Sequence, residues 1–124
     1  MSIDLTEDQQ MIKELAAKFA TEQLKPRAAE FEEKEAVPAE ILKELGSLGF
    51  MGMMVPEELG GSGLDAVSYA VAVEEIARAD ASTAVTVAVN NSLVCGIFLD
   101  FASEEQKRKY LPALARARRS APMP

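Results

Sequence analysis

Three groups of residues have a type and spacing that could do chemistry. Glu57-Glu58 and Glu74-Glu75 are adjacent carboxylates. Such a pair performs acid–base work when its two environments differ and both groups reach one substrate. Neighbours on a helix point in different directions, so solvated surface is the expected reading of both pairs. Gly60-Gly61-Ser62-Gly63 has the glycine density of a phosphate loop. It lacks the Lys-Ser/Thr of a P-loop and follows no convincing strand, so its glycines are expected to supply positive-φ turns or close backbone approach. Thr86, Asn90 and Asn91 lie within an otherwise apolar run. Buried amides need partners, so these residues either tie helix to helix or line a ligand cavity with a few polar groups. Composition does not choose between the two.

Other chemistry is excluded outright. The 124 residues contain no His, which removes every Ser-His, Cys-His and His-metal site. The lone cysteine, Cys95, cannot form an internal disulfide or a Cys-pair metal site. A net charge of −7 argues against nucleic acid, which needs a basic face. Apolar residues make up 48% of the chain, enough for one core and too many for a disordered chain. The length suits one domain. Met1-Ser2-Ile3-Asp4 has neither a basic n-region nor an apolar h-region, so a cytoplasmic location is expected.

The elements that must position these residues read as helices. Thr6 with Gln9 forms a capping box, and Ile12, Leu15, Ala16 and Phe19 follow as one apolar stripe. Pro26 should kink that helix or start a new one near Leu24. The charged stretch Arg27 to Glu35 is expected to be a solvated helix face anchored by Phe31. Pro38 suits the first position of a helix whose apolar face is Ile41, Leu42, Leu45 and Leu48, ended by Gly46 or Gly49. Six of the seven glycines fall between Gly46 and Gly63, which makes Gly49 to Gly63 a long loop. Asp65 is an N-cap for a helix reaching about Arg78. Its residues Val67, Ala70, Val71, Val73 and Ile76 are apolar almost all round, so it should be central.

Ala81 to Leu99 is an uncharged run of 19 residues between Asp80 and Asp100. That length approaches a membrane span, but Asn90 and Asn91 at mid-depth would lack partners in lipid, so a buried soluble helix is expected. The alternation of Val85, Val87 and Val89 imitates a strand, yet the run is too long for one and has no turn signal. Ser103 with Gln106 is a second capping box, opening a last helix toward Arg116. The whole reads as an all-α chain of five to six helices, an up-and-down or orthogonal bundle with one long Gly-rich loop.

Four segments together resemble a known family. They are Leu5-Thr6-Glu7-Asp8-Gln9; Val55-Pro56-Glu57-Glu58-Leu59-Gly60-Gly61-Ser62-Gly63; Val89-Asn90-Asn91-Ser92-Leu93; and Ala102-Ser103-Glu104-Glu105-Gln106-Lys107-Arg108-Lys109-Tyr110-Leu111-Pro112. Over residues 3 to about 116 the chain resembles the N-terminal helical domain of an acyl-CoA dehydrogenase, nearest the short-chain, butyryl-type members. The resemblance implies a three-part enzyme in which FAD lies between a middle β-domain and a C-terminal helical domain. There a glutamate removes the α-proton of an acyl-CoA thioester while the β-hydrogen leaves as hydride to the flavin. Electrons then pass to an electron-transferring flavoprotein. Such enzymes are homotetramers. By position, Val85, Thr86, Val89 and Leu93 match the stripe that walls the acyl chain, and their spacing puts them on one helix face.

The resemblance also implies what these residues lack. The flavin site and catalytic glutamate belong to parts of the family beyond residue 124, so no catalytic, cofactor-binding or metal residue is expected here and the chain alone is expected to be inactive. Residues 1–116 correspond to the family domain, and 117–124 do not. Arg116 to Pro124 holds three Arg and no acid, whereas residues 1–99 hold 7 basic and 17 acidic side chains. After Leu114-Ala115-Arg116 the family commonly continues Gly-Glu-Ala-Ile-Gly-Ala-Tyr-Ala-Leu. For one choice of codons, deleting a single G from the first glycine codon yields Ala-Arg-Arg-Ser-Ala-Pro-Met-Pro and a stop, the order of Ala117 to Pro124. A frameshifted gene is therefore expected. The alternative is a stand-alone helical module that binds acyl-CoA or a protein partner through its apolar surface.

Overall fold

The structure is a computed structural model that describes residues 4–34 and 36–116. Among the described residues there are five helical rods and no strand. The first rod opens on the capping box. The Thr6 hydroxyl accepts from the Gln9 N–H at 3.1 Å, and the Gln9 side chain accepts from the Thr6 N–H at 3.0 Å. Helix α1 (Glu7–Phe19) then runs through a π turn, Ala20–Leu24, and a 3₁₀ turn, Lys25–Arg27, into α2 (Ala28–Lys34). Pro26 therefore distorts the winding without separating two rods: its missing N–H is absorbed by locally changed hydrogen-bond spacing. Phe31 is buried as expected, with the Arg27 guanidinium 5.2 Å from its ring centroid. Arg27 also pairs with Glu40 at 2.9 Å, which ties α2 to the next helix.

Helix α3 spans Ala39–Ser47, with Pro38 one position earlier than expected, as its cap. Gly49, at φ 89°, ends it. The Phe50 N–H reaches the Leu45 carbonyl at 2.9 Å and the Gly49 N–H reaches Gly46 at 3.1 Å, a Schellman closure. After the glycine loop come α4 (Ala66–Ala79), α5 (Ala81–Ala88), a π turn (Val89–Cys95), α6 (Gly96–Phe101) and α7 (Glu104–Ala115). Asp80 alone separates α4 from α5. Its N–H still bonds Ile76, while its carboxylate accepts from the Thr83 N–H at 2.9 Å. Ser103 and Gln106 form the second capping box, as the spacing requires.

Two apolar clusters hold the rods together. The larger joins α1 to α5 and the start of the loop through residues such as Phe19, Phe31, Leu45, Phe50, Ile76 and Val87. The smaller joins the loop, the second π turn and α7 through Val55, Leu59, Cys95, Leu111 and Leu114. Some sequence expectations need correction. Leu15 and Leu48 are each 38% exposed, so the true inner stripe of α1 is Ile12, Ala16 and Phe19. Helix α4 is not wrapped all round. It packs mainly on α1 and α5, which leaves Val67 42% exposed. Nor is the long helix from Ala81 buried, as described below. The expected non-family tail, 117–124, lies outside the described residues.

Candidate functional site

Helix α5, the second π turn and α6 make one rod, Ala81–Phe101, of 21 residues. It is long and apolar enough to cross a membrane by length and composition, and only 22% of its most apolar stretch is buried. One side of the rod is bonded to the protein and the other is bare. Val85, Val89 and Leu93 are 62%, 41% and 57% exposed and share the bare side. Thr86, half-buried, borders it and donates to the Ser82 carbonyl at 3.0 Å. The four site residues named from sequence therefore sit together on an open surface and not in an enclosed cavity. Ile97 and Phe101, 53% and 83% exposed, continue the stripe. Sequence reasoning missed both, although the four-residue spacing already pointed to them.

The π turn keeps this stripe straight. An ideal α-helix advances about 100° per residue, so each four-residue step drifts about 40°, and four steps would carry the stripe almost halfway round. The i→i+5 bonds of Val89–Cys95 wind the backbone less per residue, which offsets that drift. π turns of this kind are frequent at functional sites.

On the bonded side, two adjacent amides grip the glycine loop. The Asn91 Oδ1 accepts from the Met53 N–H at 2.6 Å, and its Nδ2 donates to Phe50 and Val87 carbonyls, both at 2.8 Å. The Asn90 Nδ2 donates to the Met51 carbonyl at 2.6 Å and to the Leu114 carbonyl of α7 at 3.1 Å. Neither reading from sequence was complete. One bond does join helix to helix, but most join helix to loop.

The loop is built by close approach. Gly60 and Gly63 take φ of 91° and 62°. A Cβ on Gly52 would lie 2.5 Å from that of Ala115, and one on Gly61 would lie 2.2 Å from the Val55 carbonyl oxygen. The amides of residues 60 to 64 bond to carbonyls of Glu57, Pro56, Gly52, Val55 and Met53, so none is left to cradle a phosphate. The glycines act as expected, and the phosphate reading falls away.

The carboxylate pairs separate. Glu57 and Glu58 are exposed, and Glu74 pairs with Arg78 at 3.0 Å on the surface. Glu75 departs from the solvated reading. It is buried between α1 and α4, 3.3 Å from Arg78 and 4.0 Å from Lys13. Burial pushes the Cys95 thiol up to about 11, which keeps it protonated and unreactive. A separate cleft of about 790 Å³ is lined by Lys43, Gly49, Gly60, Ser62 and Arg116 among others, and no stripe residue reaches it. Among the described residues the stripe and the cleft bring together no activated nucleophile and no matched acid–base pair.

Residues 6–118 match the family described as Acyl-CoA dehydrogenase, N-terminal domain. The chain is 46% identical over 110 residues to the mitochondrial short-chain specific acyl-CoA dehydrogenase of Homo sapiens, covering 89% of this chain and 27% of the relative. It superposes on butyryl-CoA dehydrogenase from Megasphaera elsdenii with a TM-score of 0.86 and 37% identity, over 95% of this chain and 32% of that one. A structure described as an electron transferring flavoprotein of Acidaminococcus fermentans matches with a TM-score of 0.87 and 43% identity, over 94% of this chain and 30% of that one. The chain thus spans about three-tenths of the length of the proteins it matches. The match over residues 6–118, with the superposition on butyryl-CoA dehydrogenase, shows that the chain belongs to the acyl-CoA dehydrogenase family, as its N-terminal helical domain.

Proposed function

We propose that this chain supplies one wall of the acyl-binding compartment of a flavin-dependent acyl-CoA dehydrogenase acting on short acyl thioesters. Val85, Thr86, Val89 and Leu93 are the residues of that wall. The observation that carries the reading is the straight apolar stripe on an otherwise well-bonded rod. A bare stripe of this kind offers non-directional contact to an alkyl chain and excludes water from it. The two asparagines fix the rod against the loop, so the wall is rigid before anything binds.

The described residues do not themselves fit a flavin. The loop amides are committed to loop carbonyls, and among the described residues no buried side-chain nitrogen or oxygen lacks a partner. Dehydrogenation of the acyl thioester is therefore assigned to the whole enzyme, with FAD bound by its other parts and an electron-transferring flavoprotein as its acceptor. This chain contributes shape and exclusion of water. In this reading the long rod packs within a folded homotetrameric enzyme instead of crossing a bilayer, since the side-chain nitrogens of Asn90 and Asn91 donate to carbonyls of the protein.

The test is a chimera. Residues 6–116 replace the matching segment of the Megasphaera elsdenii enzyme, and turnover of butyryl-CoA is measured. The chimera should bind flavin and turn over, and Val89→Trp should raise KM and lower kcat/KM at least tenfold while leaving the flavin spectrum unchanged. Equal kcat/KM in the two proteins would remove the wall assignment. The 124-residue chain by itself should show no visible flavin absorbance and no dye reduction with butyryl-CoA.

A further inference from the structure

One amide behind the acyl wall reaches further than the glycine loop. Asn90 follows Val89 in the chain and lies three and four positions from Leu93 and Thr86, so it sits on the flank of the wall. Its Nδ2 has two hydrogens. One goes to the Met51 carbonyl at 2.6 Å and the other to the Leu114 carbonyl at 3.1 Å. Among the described residues, Asn90 has the only side chain of the Ala81–Phe101 rod that hydrogen-bonds α7. Asn91 differs, because its partners lie in the loop and in its own helix. We propose that Asn90 is a positioning residue for the dehydrogenation: it registers the acyl wall against the carboxyl end of α7 and so sets the discrimination between short and long acyl chains. The proposal rests on the acyl-wall reading and deepens it.

The end of α7 is a fixed point. Three glycines admit it by having no side chain. A Cβ on Gly52 would lie 2.5 Å from that of Ala115, one on Gly60 would lie 2.8 Å from the Pro112 Cα, and one on Gly46 would overlap the Arg116 carbonyl oxygen. Leu111, Leu114 and Ala115 are buried at the same end. Backbone packed this closely at three points cannot slide without a clash. A side chain tied to it is thereby tied to the loop and to the smaller core. On the opposite flank of the rod, Ser92 shares a hydrogen bond with Tyr69 of α4 at 3.0 Å. Without the Asn90 amide the rod keeps that tie and loses the other, so the wall can swing about its α4 edge while the fold persists. An apolar pocket separates chains that differ by one methylene about 10–200-fold, and it does so only while its walls hold their position. A wall that swings admits the longer chain and grips the shorter one less well.

The chimera with the Megasphaera elsdenii enzyme, assayed with butyryl-CoA and octanoyl-CoA, tests the consequence. Asn90→Ala should raise kcat/KM for octanoyl-CoA and lower it for butyryl-CoA. Their ratio should change about tenfold or more, with flavin content and spectrum unchanged. Asn90→Leu, which keeps a similar volume and removes both donors, should do the same. A weakened fold would instead lower both values together and leave the ratio alone. A second readout needs no catalysis. Spin labels on Leu93→Cys and Arg108→Cys in the 124-residue chain, both at exposed positions, report the distance from wall to α7, and Cys95 is buried and escapes labelling. That distance should be narrowly distributed, and Asn90→Ala should broaden it. An unchanged substrate ratio overturns the proposal, and so does an unchanged distance distribution. Val89→Trp in the same chimera separates the two failures. Where it raises KM and Asn90→Ala leaves the ratio alone, only the positioning role falls; where neither substitution has an effect, the wall reading falls with it.

Discussion

Replacing Asn91 with alanine tests the claim that two amides hold the glycine loop on the long rod. The change removes three hydrogen bonds at once, to the Met53 N–H and to the Phe50 and Val87 carbonyls. Asn91 is 5% exposed, Phe50 1% and Met53 0%, so water cannot readily take over. A buried donor or acceptor left without a partner costs about 1–3 kcal/mol. The Met53 N–H and the Phe50 carbonyl are the two groups orphaned, since the Val87 carbonyl lies within the helical ladder. A loss of about 2–4 kcal/mol follows, a large share of the 5–15 kcal/mol of a typical domain. At about 3–5 °C per kcal/mol for a chain of this size, the melting temperature should fall by roughly 10 °C. Urea denaturation followed by circular dichroism gives the free energy, and amide exchange at Met53 locates the damage. Asn91→Asp sharpens the test, because a carboxylate still accepts from Met53 but faces two carbonyl oxygens. Its folded-state pKa should be raised, so it should gain stability as pH falls and lose it as pH rises through that raised value. A change under about 0.5 kcal/mol for Asn91→Ala, or an undiminished protection of the Met53 amide, would refute the bracing role.

Other perturbations probe separate parts of the molecule. Gly61→Ala would place a methyl group 2.2 Å from the Val55 carbonyl oxygen, so it should destabilise by about 3 kcal/mol, measured by the same urea titration. The Ser68 N–H and the Gln9 side chain hold the Asp65 carboxyl below its ordinary 3.8. Its folded pKa is thus lowered, and its contribution to stability is present above about pH 4 and lost as pH falls through the lower folded value. Asp65→Ala should flatten the pH dependence in that window, read from melting temperatures across an acid series. Cys95 should react with a thiol reagent only as the protein unfolds, because it is buried and its thiol is pushed up to about 11. Rapid labelling of the native chain at neutral pH would contradict that placement.

Local chemistry was legible in the residues themselves. Thr6, Asp65 and Ser103 each have a short side chain that can accept from an amide three residues on, and each caps its helix in the structure. Gly49, Gly60 and Gly63 stand where the backbone turns to positive φ. The four-residue spacing of Val85, Val89 and Leu93 placed them on one face without any knowledge of the rest. These features depend on neighbours within a few positions, and such interactions follow from order along the chain.

Long-range pairings were decided only by the tertiary structure. Nothing near Asn90 or Asn91 in the sequence says that their amides reach residues 50 to 53 and 114, about forty and twenty-four positions away. Glu75 looks like a surface residue until α1 brings Lys13 alongside it. An apolar pattern shows which residues tend to avoid water but not whether another element arrives to cover them. That is why α4 and the Ala81–Phe101 rod were expected to be buried and are half bare. The π turn that keeps the stripe straight is likewise invisible to periodicity, because it is a shift in backbone hydrogen-bond partners and not a choice of side chains. Composition and spacing fix what each segment prefers; which surfaces meet depends on the summed packing of segments distant in the chain.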